Sequence, residues 1–179
     1  MSTAKALQRE RPTVYTRTQI ALHWLVAALV LVQYGTSGAI MRTHAVHLIG
    51  HRPNPTDLFL HTVHNRIGLG IVVLMLGRLA LRLWAGAPAP GDAARGFAVR
   101  VALIVHLAFY AVLISEGVTG AVATYLWWPI SSVHQVLFKM LLALVTIHVG
   151  AAFWSELVGK DAVMRRIGFK QLLGNRNAP

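Results

Sequence analysis

The segment VHQVLFKMLLALVTIHVGAAF carries two histidines, His134 and His148, fourteen residues apart in a largely apolar run. On an α-helix, at about 100° and 1.5 Å per residue, this spacing leaves the rings about 40° apart around the axis and about 21 Å apart along it. Both rings therefore share one face, one near each end. A helix of this kind can serve two stacked metal-centred cofactors, each taking one imidazole from it and a second from another helix at equal depth. The other intramembrane histidines are His23 in QIALHWLVAALVLVQYG, His64 in LHTVHNRIGLG, where His61 lies shallower, and His106 in ALIVHLAFY. One such histidine is explained by a hydrogen bond to a neighbouring helix. Several at matching depths are harder to explain that way. Two imidazoles per site, without thiolate or carboxylate, suit a six-coordinate haem iron, whereas zinc calls for further ligands to close a tetrahedron. The chain has no cysteine, which excludes a thiolate-ligated iron–sulfur cluster, a Cys-rich zinc site and covalent haem attachment through Cys-x-x-Cys-His.

The elements that must position these histidines follow from composition. The 179 residues are 55% hydrophobic and 13% charged, with a mean hydropathy of +0.55, a membrane protein's balance. Four apolar stretches, near 18–40, 60–83, 98–125 and 133–157, are long enough to cross a hydrocarbon core of roughly 30 Å. The first is too long for a signal peptide, lacks a small-residue cleavage site and is followed by three more spans. The expected fold is an all-α membrane protein, a bundle of four transmembrane helices forming a single domain over 1–179.

Charge sets the orientation. The net charge is +11, and the cations concentrate before the first span, between the second and third (Arg78, Arg82, Arg95, Arg100) and after the fourth. That asymmetry predicts cytoplasmic N- and C-termini. The cations flank spans instead of forming one aromatic-laced face, so no nucleic-acid partner is expected. The residues before Tyr15 read as a polar tail, AGAPAPGDAARG as a cytoplasmic connector, MRTHAVHLIGHRPNPTD as a long outer loop, and 161–174 as an amphipathic tail on the inner membrane face.

Span direction then pairs the ligands. The first span enters from the cytoplasm with His23 about five residues in, and the fourth leaves toward it past His148, so these two meet near the inner face. The second and fourth spans both begin outside, so His64 and His134 meet near the outer face. His64 is preferred to His61 because it is deeper and because Gly68 and Gly70 follow, where missing side chains let a flat macrocycle approach. Depth alone also admits His106 to the inner site. It is ranked as a residue lying behind the ligands, at a propionate or at a quinone. Acidic residues are scarce in the spans, with Glu116 the exception in the third, which argues against a carboxylate-lined cation path.

Taken together, YTRTQIALHW, HNRIGLGIVVLMLGRLALRLW, HLAFYAVL and the two histidines followed by GKDAVMRRI resemble the bacterial cytochrome b561 family over most of the chain. The set Tyr-x-Arg-x-x-x-x-x-His-Trp, His-x-x-x-Gly and Arg-x-x-x-Arg is more specific than any one piece. The resemblance implies two b-type haems of the inner membrane, ligated by His23 with His148 and His64 with His134, the pairing that depth gives. It also implies exchange with a quinone such as ubiquinone and, in one branch, oxidation of superoxide at the periplasmic side.

The leading expectation is an oxidoreductase that conducts single electrons from an outer donor to a quinone. Arg66 and Lys139, with Arg42, Arg52 and the loop histidines, would steer a small anion such as superoxide to the outer side. Arg17 and Arg78 lie where they could pair with haem propionates, although the inner cationic bias accounts for them equally well. The runner-up is a haem-bearing anchor subunit of a larger dehydrogenase or hydrogenase. Lipid and quinone are the expected partners, and the chain is a monomer or homo-oligomer.

Overall fold

The structure is a computed structural model and describes residues 15–85 and 97–157. Among these the chain is all-helical: α1 (Arg17–Leu48), α2 (Pro55–Ala85), α3 (Phe97–Tyr125), a 3-10 turn at Trp128–Ile130 and α4 (Ser131–Leu157). All four α-helices are long and apolar enough to cross a membrane. The tail expected over 161–174 and most of the connector expected over 85–96 lie outside the described residues.

Helix ends follow local chemistry. Thr16 caps α1 in a reciprocal capping box with Gln19, each side chain meeting the other's backbone N–H, as the Thr-x-x-Gln spacing allows. The long outer loop expected from Met41 onward is a correction. Helix α1 runs on to Leu48 and α2 begins at Pro55, so only residues 49–54 connect them. Hydropathy falls after Ile40, but no helix breaker occurs before Gly50, which takes the left-handed conformation at φ 72°. Asn54 accepts from the Thr56 N–H at 2.8 Å, and Pro55 fills the first helical position, where its missing N–H costs nothing. The first span was thus read from where lipid ends, not from where the helix ends.

Helix α1 packs on α2, α2 on α3 and α3 on α4, while α1 and α4 make no close backbone approach. The ring of helices is therefore left open along one seam. Tyr34 of α1 stacks on Phe138 of α4 across it, with ring centres 6.2 Å apart. A small dry core of Val26, Ile71, Met75, Val112, Leu113 and Leu141 draws on all four helices. Leu141 stands midway between His134 and His148, so this apolar layer divides an outer half of the bundle from an inner half. Outward-facing residues are large and apolar, among them Leu31 at 72% exposed, Val73 at 69% and Ile104 at 64%. That inverted distribution suits a hydrocarbon solvent.

Candidate functional site

In the outer half, His64 of α2 and His134 of α4 face each other with ring centres 6.5 Å apart and planes 81° apart. Both rings are held by their Nδ1 atoms. The Thr36 hydroxyl donates to the Val32 carbonyl at 2.9 Å, so its oxygen is free to accept from His64 Nδ1–H at 3.1 Å. His134 Nδ1–H donates to the main-chain carbonyl of Glu116 at 3.0 Å. The Thr119 hydroxyl, which donates to the Ser115 carbonyl at 2.7 Å, lies 3.4 Å from the same nitrogen. The proton on each ring is thereby fixed at Nδ1, which leaves both Nε2 lone pairs available to a metal.

A cavity of about 300 Å³ opens between these rings and reaches the α1/α4 seam. Gly68, Gly117 and Gly120 form part of its wall. Gly117 and Gly120 are held to glycine by packing, whereas Gly68 faces only the movable end of Gln33. A Cβ on Gly120 would stand 3.1 Å from His134 Cε1, one on Gly68 would stand 2.8 Å from Gln33 Nε2, and one on Gly117 would collide with Val72 Cγ2 and approach the Gly68 carbonyl at 3.2 Å. Gly70, expected to assist the same approach, has open space around it.

In the inner half, His23 of α1 and His148 of α4 have ring centres 6.3 Å apart and planes inclined at 59°. His106 is present as a third ring, edge-on to His148 at 5.6 Å, and its Nδ1–H donates to the Ala102 carbonyl of its own helix at 2.6 Å. Phe109 closes over His148 at 5.3 Å and Trp24 over His23 at 5.5 Å. Arg78 reaches from α2 to place Nη2 3.3 Å from His23 Nδ1 and Nη1 3.5 Å from the Leu22 carbonyl. A guanidinium can only donate. His23 Nδ1 therefore accepts here, and ligation through Nε2 requires the ring proton to move to Nδ1 and Arg78 to turn aside.

The remaining expected residues are placed as follows. Arg17 is exposed at the start of α1. Arg66 and Lys139 are exposed and line no part of the cavity. Helical geometry turns Arg66 about 200° from His64, and Lys139 about 140° from His134. Arg42 is bound by Asp57 through three hydrogen bonds of 2.7 to 3.1 Å. Farther out, His44 lies 5.5 Å from His61 and 4.0 Å from Trp128 between ring centres. Sequence reasoning missed Thr36, Thr119, Gly117 and Gly120. Their signal is a hydroxyl or glycine on the inward face within a turn of a ligand's depth.

Residues 14–170 match the family model described as prokaryotic cytochrome b561. The chain belongs to that family. Similar proteins include cytochrome b562 of Cereibacter sphaeroides, 29% identical over 154 residues that span 86% of this chain and 94% of the relative. Another is the probable superoxide oxidase CybB of Yersinia pestis, 25% identical over 111 residues, 62% of this chain and 58% of that protein. Membership in the prokaryotic cytochrome b561 family makes the chain a membrane electron-transfer protein and implies haem b.

The residues present fit that group. An imidazole nitrogen binds a metal at about 2 Å, so two rings on opposite sides of one ion have centres about 6 Å apart. Both histidine pairs stand at that separation. In the outer half a glycine-walled cavity lies between them and both bare nitrogens are Nε2.

Proposed function

We propose that this cytochrome b561-family protein carries two haem b groups and moves electrons from an outer donor to the quinone pool. His64 and His134 hold the outer group, and His23 and His148 the inner one. The carrying observation is that each pair of rings, drawn from different helices, stands at the separation of two imidazoles sharing one iron. Haem held by these histidines would supply reversible one-electron redox chemistry.

The chain's own residues account for the rest. Thr36 and the Glu116 carbonyl fix the tautomer and orientation of the outer rings. The dry layer around Leu113 and Leu141 excludes water between the two levels. His106 and Arg78 stand beside the inner pair, where a quinone and its protons are handled. Superoxide is the donor that the relationship to a probable superoxide oxidase favours. Each superoxide anion gives up one electron and leaves as dioxygen, and two such electrons with two protons convert one quinone to quinol. The cationic flanks support a bacterial inner-membrane location, with a single domain over 1–179 and both termini in the cytoplasm.

A dithionite-reduced-minus-oxidised spectrum with a pyridine haemochrome count on the full chain tests this reading. Two b-type haems per wild-type chain are expected, with one lost in each of His23→Ala, His64→Ala, His134→Ala and His148→Ala and both retained in His106→Ala. A colourless wild type overturns the redox reading, and loss of haem in His106→Ala overturns the inner pairing.

A further inference from the structure

Glu116 is the one acidic side chain buried in the apolar part of the bundle among the described residues, at 8% exposed. It lies on α3 at the level of the outer pair and lines the cavity. Its Oε2 is 2.9 Å from His134 Nδ1, yet the ring N–H points at the Glu116 main-chain carbonyl instead. The carboxylate oxygen is therefore buried beside the imidazole without a hydrogen-bond donor of its own among the described residues. A buried polar atom left in this way calls for an explanation. Among the described residues, no Lys or Arg forms an ion pair with it.

The inner pair has the opposite neighbour. Arg78 holds a guanidinium 3.3 Å from His23 Nδ1; ligation of His23 through Nε2 turns it off that nitrogen, but the side chain remains anchored on α2 beside the inner pair, and a guanidinium keeps its charge in any protein setting. The charged atom nearest each pair is thus an oxygen of a carboxylate outside and a nitrogen of a guanidinium inside. Both sit in surroundings of low dielectric, where charges act strongly.

Resting on the ligand assignment above, we infer that Glu116 and Arg78 are positioning residues that set the two centres at different potentials, the outer one lower. An anion against an iron ligand favours the oxidised form, and a cation favours the reduced form. The electron then passes downhill from the outer centre to the inner one, which gives the protein a direction. Glu116 acts through His134, and Arg78 acts on the His23 side.

Potentiometric redox titration of the purified haem-loaded protein tests this. His23→Ala, which keeps only the outer centre, and His64→Ala, which keeps only the inner one, assign the two waves. The wild type is expected to show two waves with the outer centre lower. Glu116→Gln is expected to raise the outer midpoint and leave the inner one unmoved, while Glu116→Asp keeps it low. Arg78→Gln is expected to lower the inner midpoint, with Arg78→Lys restoring it. An outer midpoint at or above the inner one in the wild type overturns the inference, even where a variant fails to load haem. So do midpoints that stay put in Glu116→Gln and Arg78→Gln. Failure of the ligand assignment shows separately, as a wrong haem count before any potential is read.

Discussion

The outer and inner halves use the same chemistry, two imidazoles from different helices, but support it differently. Outside, each ring proton is claimed by a fixed oxygen, and the α2/α3 crossing is so close that Gly117 leaves no room for a methyl group. Inside, Arg78 donates to the ring nitrogen that must carry a proton once Nε2 is ligated, and a third imidazole stands against His148. The outer half is built in its ligand-ready state. The inner half must change proton and partner to reach it, and it keeps Arg78 and His106 beside the pair. Rigidity at one level and adjustability at the other would suit the proposed conduit, with a small donor at one end and a large proton-taking acceptor at the other.

This contrast can be broken most forcefully at the glycines. Gly117→Val is expected to destabilise the protein by about 3 kcal/mol through overpacking against Val72 and the Gly68 carbonyl. Gly77→Ala, in the inner half with open space around it, is expected to be neutral or to stabilise by up to about 1 kcal/mol. Thermal unfolding in one detergent compares the two, and equal losses would remove the distinction between tight and open halves.

Next in size is Thr36→Val, which deletes the acceptor of His64 Nδ1–H. Losing such a partner of a metal-ligating histidine typically weakens metal retention by about 10- to 100-fold. Haem transfer to an apo-acceptor protein should therefore speed up for the outer centre alone. Transfer that is equally fast from both centres contradicts the assignment of Thr36 to the outer one.

The smallest effect is expected at the surface charges. Arg42 is already neutralised by Asp57, and Arg66 and Lys139 face away from the cavity, so their field acts only at a distance. The double variant Arg66→Glu/Lys139→Glu should slow superoxide-driven reduction by less than about tenfold, with the difference fading as salt rises. A rate that is unchanged at low salt eliminates steering.

The proximity of His23 to His148 and of His64 to His134 was legible because depth follows from span direction and face follows from the helical period, and neither needs tertiary detail. Helix length was less so. The run Arg42-Thr-His-Ala-Val-His is too polar for lipid yet contains nothing that stops a helix, so hydropathy marked the wrong boundary. Glu116 stood out by its charge, but its contact with His134 depends on how α3 and α4 cross, and the meeting of Arg78 with His23 depends likewise on α1 and α2. Thr36 was silent because a threonine in an apolar helix ordinarily satisfies itself on its own carbonyls, which this one also does. Only the fold shows that its oxygen has a second use.

The open seam between α1 and α4 has a consequence for biogenesis. With no backbone packing there, side chains must hold the first and last helices together, Tyr34 with Phe138 in the outer half and His23 with His148 in the inner half. A ligand that binds only the assembled form adds about 2.7 kcal/mol when present at a hundred times its dissociation constant. On the ligand assignment proposed above, the cofactor would act as a keystone as well as a carrier. In a cell short of haem, the first and last helices would lack that bridge across the seam while α4 stays packed on α3, and the supply of haem would then influence how much of the protein survives membrane proteases.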